Sequence, residues 1–159
     1  METRSIRTAI YTAAGVGIFL AAYTAFEVID AQLTKLCSFN GFFSCAAVAN
    51  SGHTTTLFVP DWLWGLLGFI LIIVVASLSE RRPSDRRYVY GLVGLTTIGI
   101  AFSLYFLYME LAVIGAICIF CASAYVMGWT AWIGAIALVR APPETPDDLD
   151  ESEDEEDEE

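Results

Sequence analysis

Four long runs of the chain carry almost no charge: Ile10 to Ile29, whose only charge is Glu27 near its end, Trp62 to Leu78, Tyr88 to Met109 and Leu111 to Val139. Each approaches or exceeds the ~20 residues an α-helix needs to cross a hydrocarbon core about 30 Å thick, and backbone in lipid must satisfy its own hydrogen bonds. The runs predict an all-α integral membrane protein, a four-transmembrane-helix bundle with an extracytoplasmic loop between helices 1 and 2. Composition agrees, since 56% of the 159 residues are apolar, more than a soluble domain carries. A cleaved signal peptide accounts poorly for the first run, which is long for that role and has no clear A-x-A site.

Charge divides the chain in two. The formal net charge is -11, yet twelve of the nineteen acids lie between Glu144 and Glu159, leaving seven against eight Lys and Arg in the body. Residues 1–140 therefore read as a nearly neutral membrane domain. Residues 141–159, with Pro142, Pro143 and Pro146 followed almost wholly by acids, read as a disordered acidic tail. No basic, aromatic-laced patch exists to bind phosphates, which excludes nucleic acid as the main partner. Arg4 and Arg7 precede the first span, Arg81, Arg82, Arg86 and Arg87 lie between the second and third, and Arg140 follows the fourth. With four crossings all three clusters fall on one side, and the excess of basic residues makes that side the cytoplasm. The expected protein is thus a multi-pass cell-membrane protein with cytoplasmic termini. The segment from about Asp30 to Asp61 and a tight turn at Glu110 then face outward.

The chain has four cysteines: Cys37 and Cys45 in the outer loop, and Cys118 and Cys121 as C-x-x-C near the start of the last span. Counting back from Val139 at 1.5 Å per residue puts Cys118 and Cys121 about 32 and 27 Å above the cytoplasmic boundary, at the outer edge of the core. Both pairs meet at one depth. Residues three apart on a helix share a face, with Cα atoms about 5 to 6 Å apart, inside the range a disulfide tolerates. At a helix start the backbone N–H groups and the dipole favour anionic sulfur, which makes such a pair reactive. The seven residues between Cys37 and Cys45 contain Gly41 and form a loop short enough to close the second pair.

Three chemistries fit four cysteines so placed. Two static disulfides would staple the loop and a helix end, although a C-x-x-C bridge closes too small a ring to constrain much. Four thiolates would bind zinc, against an oxidising exterior. Thiol-disulfide exchange would pass two electrons between the pairs through a mixed disulfide. A relay in a membrane needs an acceptor that lives in lipid, and a quinone fits, while no haem C-x-x-C-H or glycine-rich dinucleotide motif is present. A non-enzymatic alternative remains, a four-span scaffold whose loop is disulfide-stapled. Among the other polar residues, His53 reads as a surface loop residue, Trp129 and Trp132 as interface anchors, and Glu27 and Glu110 as interfacial.

Over about residues 5 to 140 the chain resembles the vitamin K epoxide reductase (VKOR) family in its short form, without a fused thioredoxin-like domain. The resemblance rests on Cys37 and Cys45 with their seven-residue spacing, Ala-Ala-Val-Ala-Asn-Ser ending at Ser51, Pro60-Asp61-Trp62-Leu63-Trp64-Gly65, and Cys118-Ile-Phe-Cys121-Ala-Ser-Ala-Tyr125. It implies a four-helix bundle around a quinone pocket, for menaquinone or another vitamin K-type quinone. Cys37 would meet an extracytoplasmic thioredoxin-like partner, Cys45 would attack Cys118, and Cys121 would face the quinone. The net result would be disulfide formation. Ser51 would help fix the loop, and Tyr125, one turn after Cys121, would hydrogen-bond a quinone oxygen. Asp61 stands where some members place an asparagine that donates to the other oxygen, a role an ionised carboxylate cannot fill because it only accepts. Trp64 with Phe58 would flank the pocket.

Overall fold

The computed structural model describes residues 2–29, 38, 40–52, 55–56, 58–82 and 85–141. Cys37, His53 and the tail 142–159 lie outside the described residues, as does the side chain of Glu27. In chain order come α1 (Glu2–Ile29), the short α2 (Cys45–Ala49), a two-stranded ribbon of β1 (Thr55–Thr56) and β2 (Val59–Pro60), α3 (Asp61–Arg81), α4 (Arg87–Tyr108), a π-helical segment Met109–Ile114, and α5 (Ile119–Arg140). Among the described residues four helices are long and apolar enough to cross a membrane, as the hydropathy predicts.

The four long helices close a ring in which α1 and α4 each pack on both α3 and α5. Large apolar side chains such as Phe19, Ile98 and Ile133 point outward, while Ala13, Ala14, Ala76, Ala131 and Ala135 are buried beside Ile10 and Leu92. Lipid is as apolar as leucine, so helices in a membrane associate by close packing of small residues and not by hiding large ones. The closest approaches are at two glycines. A Cβ on Gly134 would lie 2.7 Å from Ile10 Cγ1, and one on Gly17 would lie 2.5 Å from the Phe69 ring. Gly134→Ala is therefore expected to destabilise the bundle by about 1–3 kcal/mol, read from thermal unfolding in detergent. Gly99→Ala, where a Cβ meets nothing within 4 Å, is the control and should leave the transition unmoved.

Hydrogen bonds fix which ends lie together. Tyr11 Oη donates to Glu80 Oε2 at 2.8 Å, and Arg86 Nη2 donates to the Ala141 carbonyl at 2.9 Å, capping the end of α5. The start of α1, the α3–α4 connection and the end of α5, with their arginines, thus share one end of the bundle, and Cys45, Cys118 and Cys121 occupy the other. Trp129 and Trp132 correct the expectation of interfacial anchoring. Halfway along α5, Trp129 Nε1 donates to Ser103 Oγ at 2.9 Å, and Trp132 Nε1 donates to Thr97 Oγ1 at 3.0 Å. Their N–H groups are satisfied by α4 within the spans, a form of interhelical glue suited to an apolar solvent.

The third span also ends differently from the expectation. No turn occurs at Glu110; the helix runs on as a π-helical segment to Ile114. The chain reverses at Gly115, whose φ of +74° is a left-handed conformation that glycine adopts without a Cβ penalty. The Ala116 N–H then reaches back to the Glu110 carbonyl at 3.1 Å. The charge that reads as a membrane boundary instead faces the bundle interior.

Candidate functional site

Two backbone segments far apart in sequence build the cysteine site. The Asn40 side-chain oxygen accepts from the amides of Phe42 and Phe43 at 3.0 and 2.8 Å, turning the chain around Gly41. This is the use of asparagine in turns, where its side chain imitates a backbone acceptor. The turn presents its backbone to the extended segment ahead of α5. The Ile117 N–H donates to the Phe42 carbonyl at 2.8 Å, and the Ser44 N–H donates to the Ile117 carbonyl at 3.1 Å. Phe43 and Ile117 thereby form an isolated parallel bridge. The residue after Ser44 is Cys45, and the residue after Ile117 is Cys118.

Local capping then orients each sulfur. Ser44 Oγ accepts from the Ala47 N–H at 3.2 Å and starts α2 at Cys45. Cys118 stands at the N-cap of α5 in extended conformation (φ -87°, ψ 120°), and Cys121 follows in the first turn. Cys45 and Cys118 are both buried at 2% exposure. The Cys118 thiol points at the Cys45 sulfur, Sγ to Sγ 3.2 Å. Cys45 is held in a disulfide, while Cys118 and Cys121 are thiols. A sulfur nucleophile 3.2 Å from a disulfide sulfur is within the ~3–3.5 Å of a near-attack arrangement.

A cavity of about 420 Å³ opens beside these sulfurs, lined by Cys45, Cys118, Cys121, Asp61, Trp64 and Tyr125 among others. Trp64 stacks on Phe102 with ring centroids 6.0 Å apart, and Phe102 meets Phe106 at 6.1 Å. An apolar, aromatic wall with a few polar groups is the composition that a flat organic ring requires. A larger, open depression between α1 and α5, lined by Arg4, Thr8, Met127 and Thr130, contains no cysteine.

The structure brings Cys45, Cys118, Cys121, Asp61, Trp64 and Tyr125 to one cavity. Ser51 is not in the cavity wall; its Oγ donates to the Val48 carbonyl at 2.8 Å at the end of α2. Phe58 is not brought in. It sits at the tip of the β1–β2 ribbon with φ +66° and its side chain is fully exposed, because the reversal aims it away from the bundle. Cys37 lies outside the described residues.

Glu110 belongs to the site and the sequence reading missed it. It is 4% exposed and lines the cavity, where its Oε1 accepts the Tyr125 hydroxyl at 3.2 Å. The signal was present: Thr96, Ser103 and Glu110 recur every seven residues, two helical turns apart, and so lie on one face. The family model of the Vitamin K epoxide reductase family matches residues 8–136 of the chain.

Proposed function

The chain belongs to the vitamin K epoxide reductase family, and from that premise we propose that it is a quinone-dependent disulfide oxidoreductase supporting disulfide bond formation. Members of the family are membrane oxidoreductases of disulfide chemistry that use quinones, and this chain is a multi-pass membrane protein. The reading takes the cysteine end of the bundle as extracytoplasmic and the arginine end, with both termini, as cytoplasmic. An extracytoplasmic thioredoxin-like protein would deliver electrons to Cys37 and Cys45.

In the proposed relay a partner thiolate attacks the loop disulfide and leaves oxidised, freeing Cys45 as a thiolate. Cys45 attacks the sulfur of Cys118, the Cys118–Cys121 bond breaks, and Cys121 departs with the electron pair. Cys37 then attacks Cys45 in the mixed disulfide, which restores the loop disulfide and leaves Cys118 and Cys121 reduced. The cysteine states of the structure match that last stage, with Cys45 in a disulfide and Cys118 and Cys121 as thiols. A bound quinone supplies the two-electron acceptor for the reduced pair. Trp64, Asp61 and Tyr125 would hold it in the aromatic cavity, and Ser51 would steady the loop. Phe58 is left out of that set because of its exposure.

The observation that carries this reading is the 3.2 Å approach of Cys118 to Cys45. A static staple has no use for a thiol aimed at a disulfide sulfur. The test supplies a reduced thioredoxin-like protein and menaquinone or ubiquinone to the purified chain and follows quinol absorbance. Sustained quinol formation is expected, and none above the protein-free rate would contradict the reading. Trp64→Ala is expected to raise the KM for quinone ~10-fold, a loss of about 1.4 kcal/mol in binding, with the thiol steps unchanged. Steady-state titration of the quinone checks this.

A further inference from the structure

We infer that Glu110 carries the proton that Cys121 gains and loses, an assignment that rests on the relay proposed above. The carboxyl enters the cavity from the π-helical segment, is 4% exposed, and uses only one oxygen for a hydrogen bond of ordinary geometry. That oxygen, Oε1, accepts from Tyr125 Oη at 3.2 Å. Oε2 is buried without such a partner among the described residues, yet the Cys121 thiol and the backbone of Cys118 lie within interaction range of the carboxylate. Asp61, Cys118, Cys121 and Tyr125 are the other titratable groups of the cavity wall, where Cys45 is held in its disulfide.

The redox state makes sense of this arrangement. Cys121 is a thiol and has a hydrogen to offer, and a carboxylate is a pure acceptor, already receiving Tyr125. Once Cys121 is in a disulfide it has no hydrogen, and a proton on Oε2 takes its place. When Cys45 attacks Cys118, the Cys118–Cys121 bond breaks, Cys121 leaves as a thiolate, and the O–H bond of Glu110 breaks as an S–H bond forms. When the dithiol later gives two electrons to a quinone and the Cys118–Cys121 bond re-forms, the S–H bond of Cys121 breaks as the O–H bond on Oε2 re-forms. The quinol would take the Cys118 proton and one proton from water. A carboxyl buried in a membrane protein is costly and is expected to be functional. Glu110 would therefore spare the enclosed sulfurs a proton exchange with bulk water.

The test uses the full-length, quinone-free chain in detergent, oxidised and then mixed with dithiothreitol. Acid quenching, alkylation and peptide mass mapping give the rate at which Cys121 appears as a thiol, in H2O and in D2O, after subtracting direct reduction measured in Cys45→Ala. Glu110→Gln is expected to slow this step ~10²-fold and to lose the solvent isotope effect, with Glu110→Asp partly restoring both. Equal rates and isotope effects in Glu110→Gln and the parent would overturn the assignment. Should the variants fail to fold, infrared difference spectra of the parent carrying isotope-labelled glutamate decide the matter. A protonated glutamate band must vanish as Cys121 becomes a thiol, and a band that stays unchanged overturns the assignment. If Cys118 and Cys121 remain joined in the parent after the loop pair is reduced, the relay itself fails and the assignment falls with it.

Discussion

Serine in place of Cys121 is expected to reduce quinol formation to the protein-free rate and to trap a covalent Cys45–Cys118 link. The Cys118 thiol would still face the Cys45 disulfide at 3.2 Å, so its thiolate can attack Cys45 and displace the other loop sulfur. With Cys121 gone, no thiol on α5 can resolve the mixed disulfide from the Cys118 side. Only the return attack of Cys37 on Cys45 remains, so the link persists in equilibrium with the loop disulfide while electrons go no further. Non-reducing peptide mapping after acid quench would show the linked peptides. Cys118→Ser should lose activity equally but show no link between α2 and α5. A Cys121→Ser protein that turns over quinone at the parent rate would remove Cys121 from the chemistry.

The second large effect concerns backbone, not sulfur. Ile117→Pro removes the N–H that donates to the Phe42 carbonyl at 2.8 Å, and a misplacement of about 1 Å in reacting atoms slows a reaction ~10²-fold. Transfer from the loop pair to Cys118 and Cys121 should therefore slow ~10²-fold in a protein that keeps all four cysteines. Asn40→Ala, which loses the acceptor for two amides of the turn, should slow the same transfer more mildly, ~10-fold for a loss of about 1.4 kcal/mol. Rapid-quench alkylation measures both. Parent-like rates in Ile117→Pro would mean that the bridge to Phe43 does not position the sulfurs.

The spans were legible because lipid imposes one strong rule on sequence, a long uncharged run for each crossing. Each run holds a spanning helix, although Leu111 to Ile114 at the head of the fourth run belong to the third helix. The depth of Cys118 followed from rise per residue, and the arginine clusters put the loop carrying Cys45 at the same end. Their contact did not, because it depends on two hydrogen bonds between residues more than seventy positions apart, which no local pattern encodes. Glu110 was misread for the opposite reason. A charge between two apolar runs reads as a boundary, and only its seven-residue register with Ser103 and Thr96 marks it as inward-facing. Trp129 and Trp132 were misjudged because the interfacial preference of tryptophan is a statistical tendency, while a nearby Ser103 or Thr97 hydroxyl is a specific partner. Phe58 adjoins the motif that opens α3, but a backbone reversal at its own φ turns it outward.

The most direct measurement follows all four cysteines together in the quinone-free parent protein after one two-electron reduction of the loop disulfide. Acid quench, alkylation and mass mapping at successive times should show Cys118 and Cys121 becoming thiols as the disulfide at Cys45 re-forms, one for one, with a transient Cys45–Cys118 species between. A loop that stays reduced while Cys118 and Cys121 stay joined would contradict the transfer on which the proposed function depends.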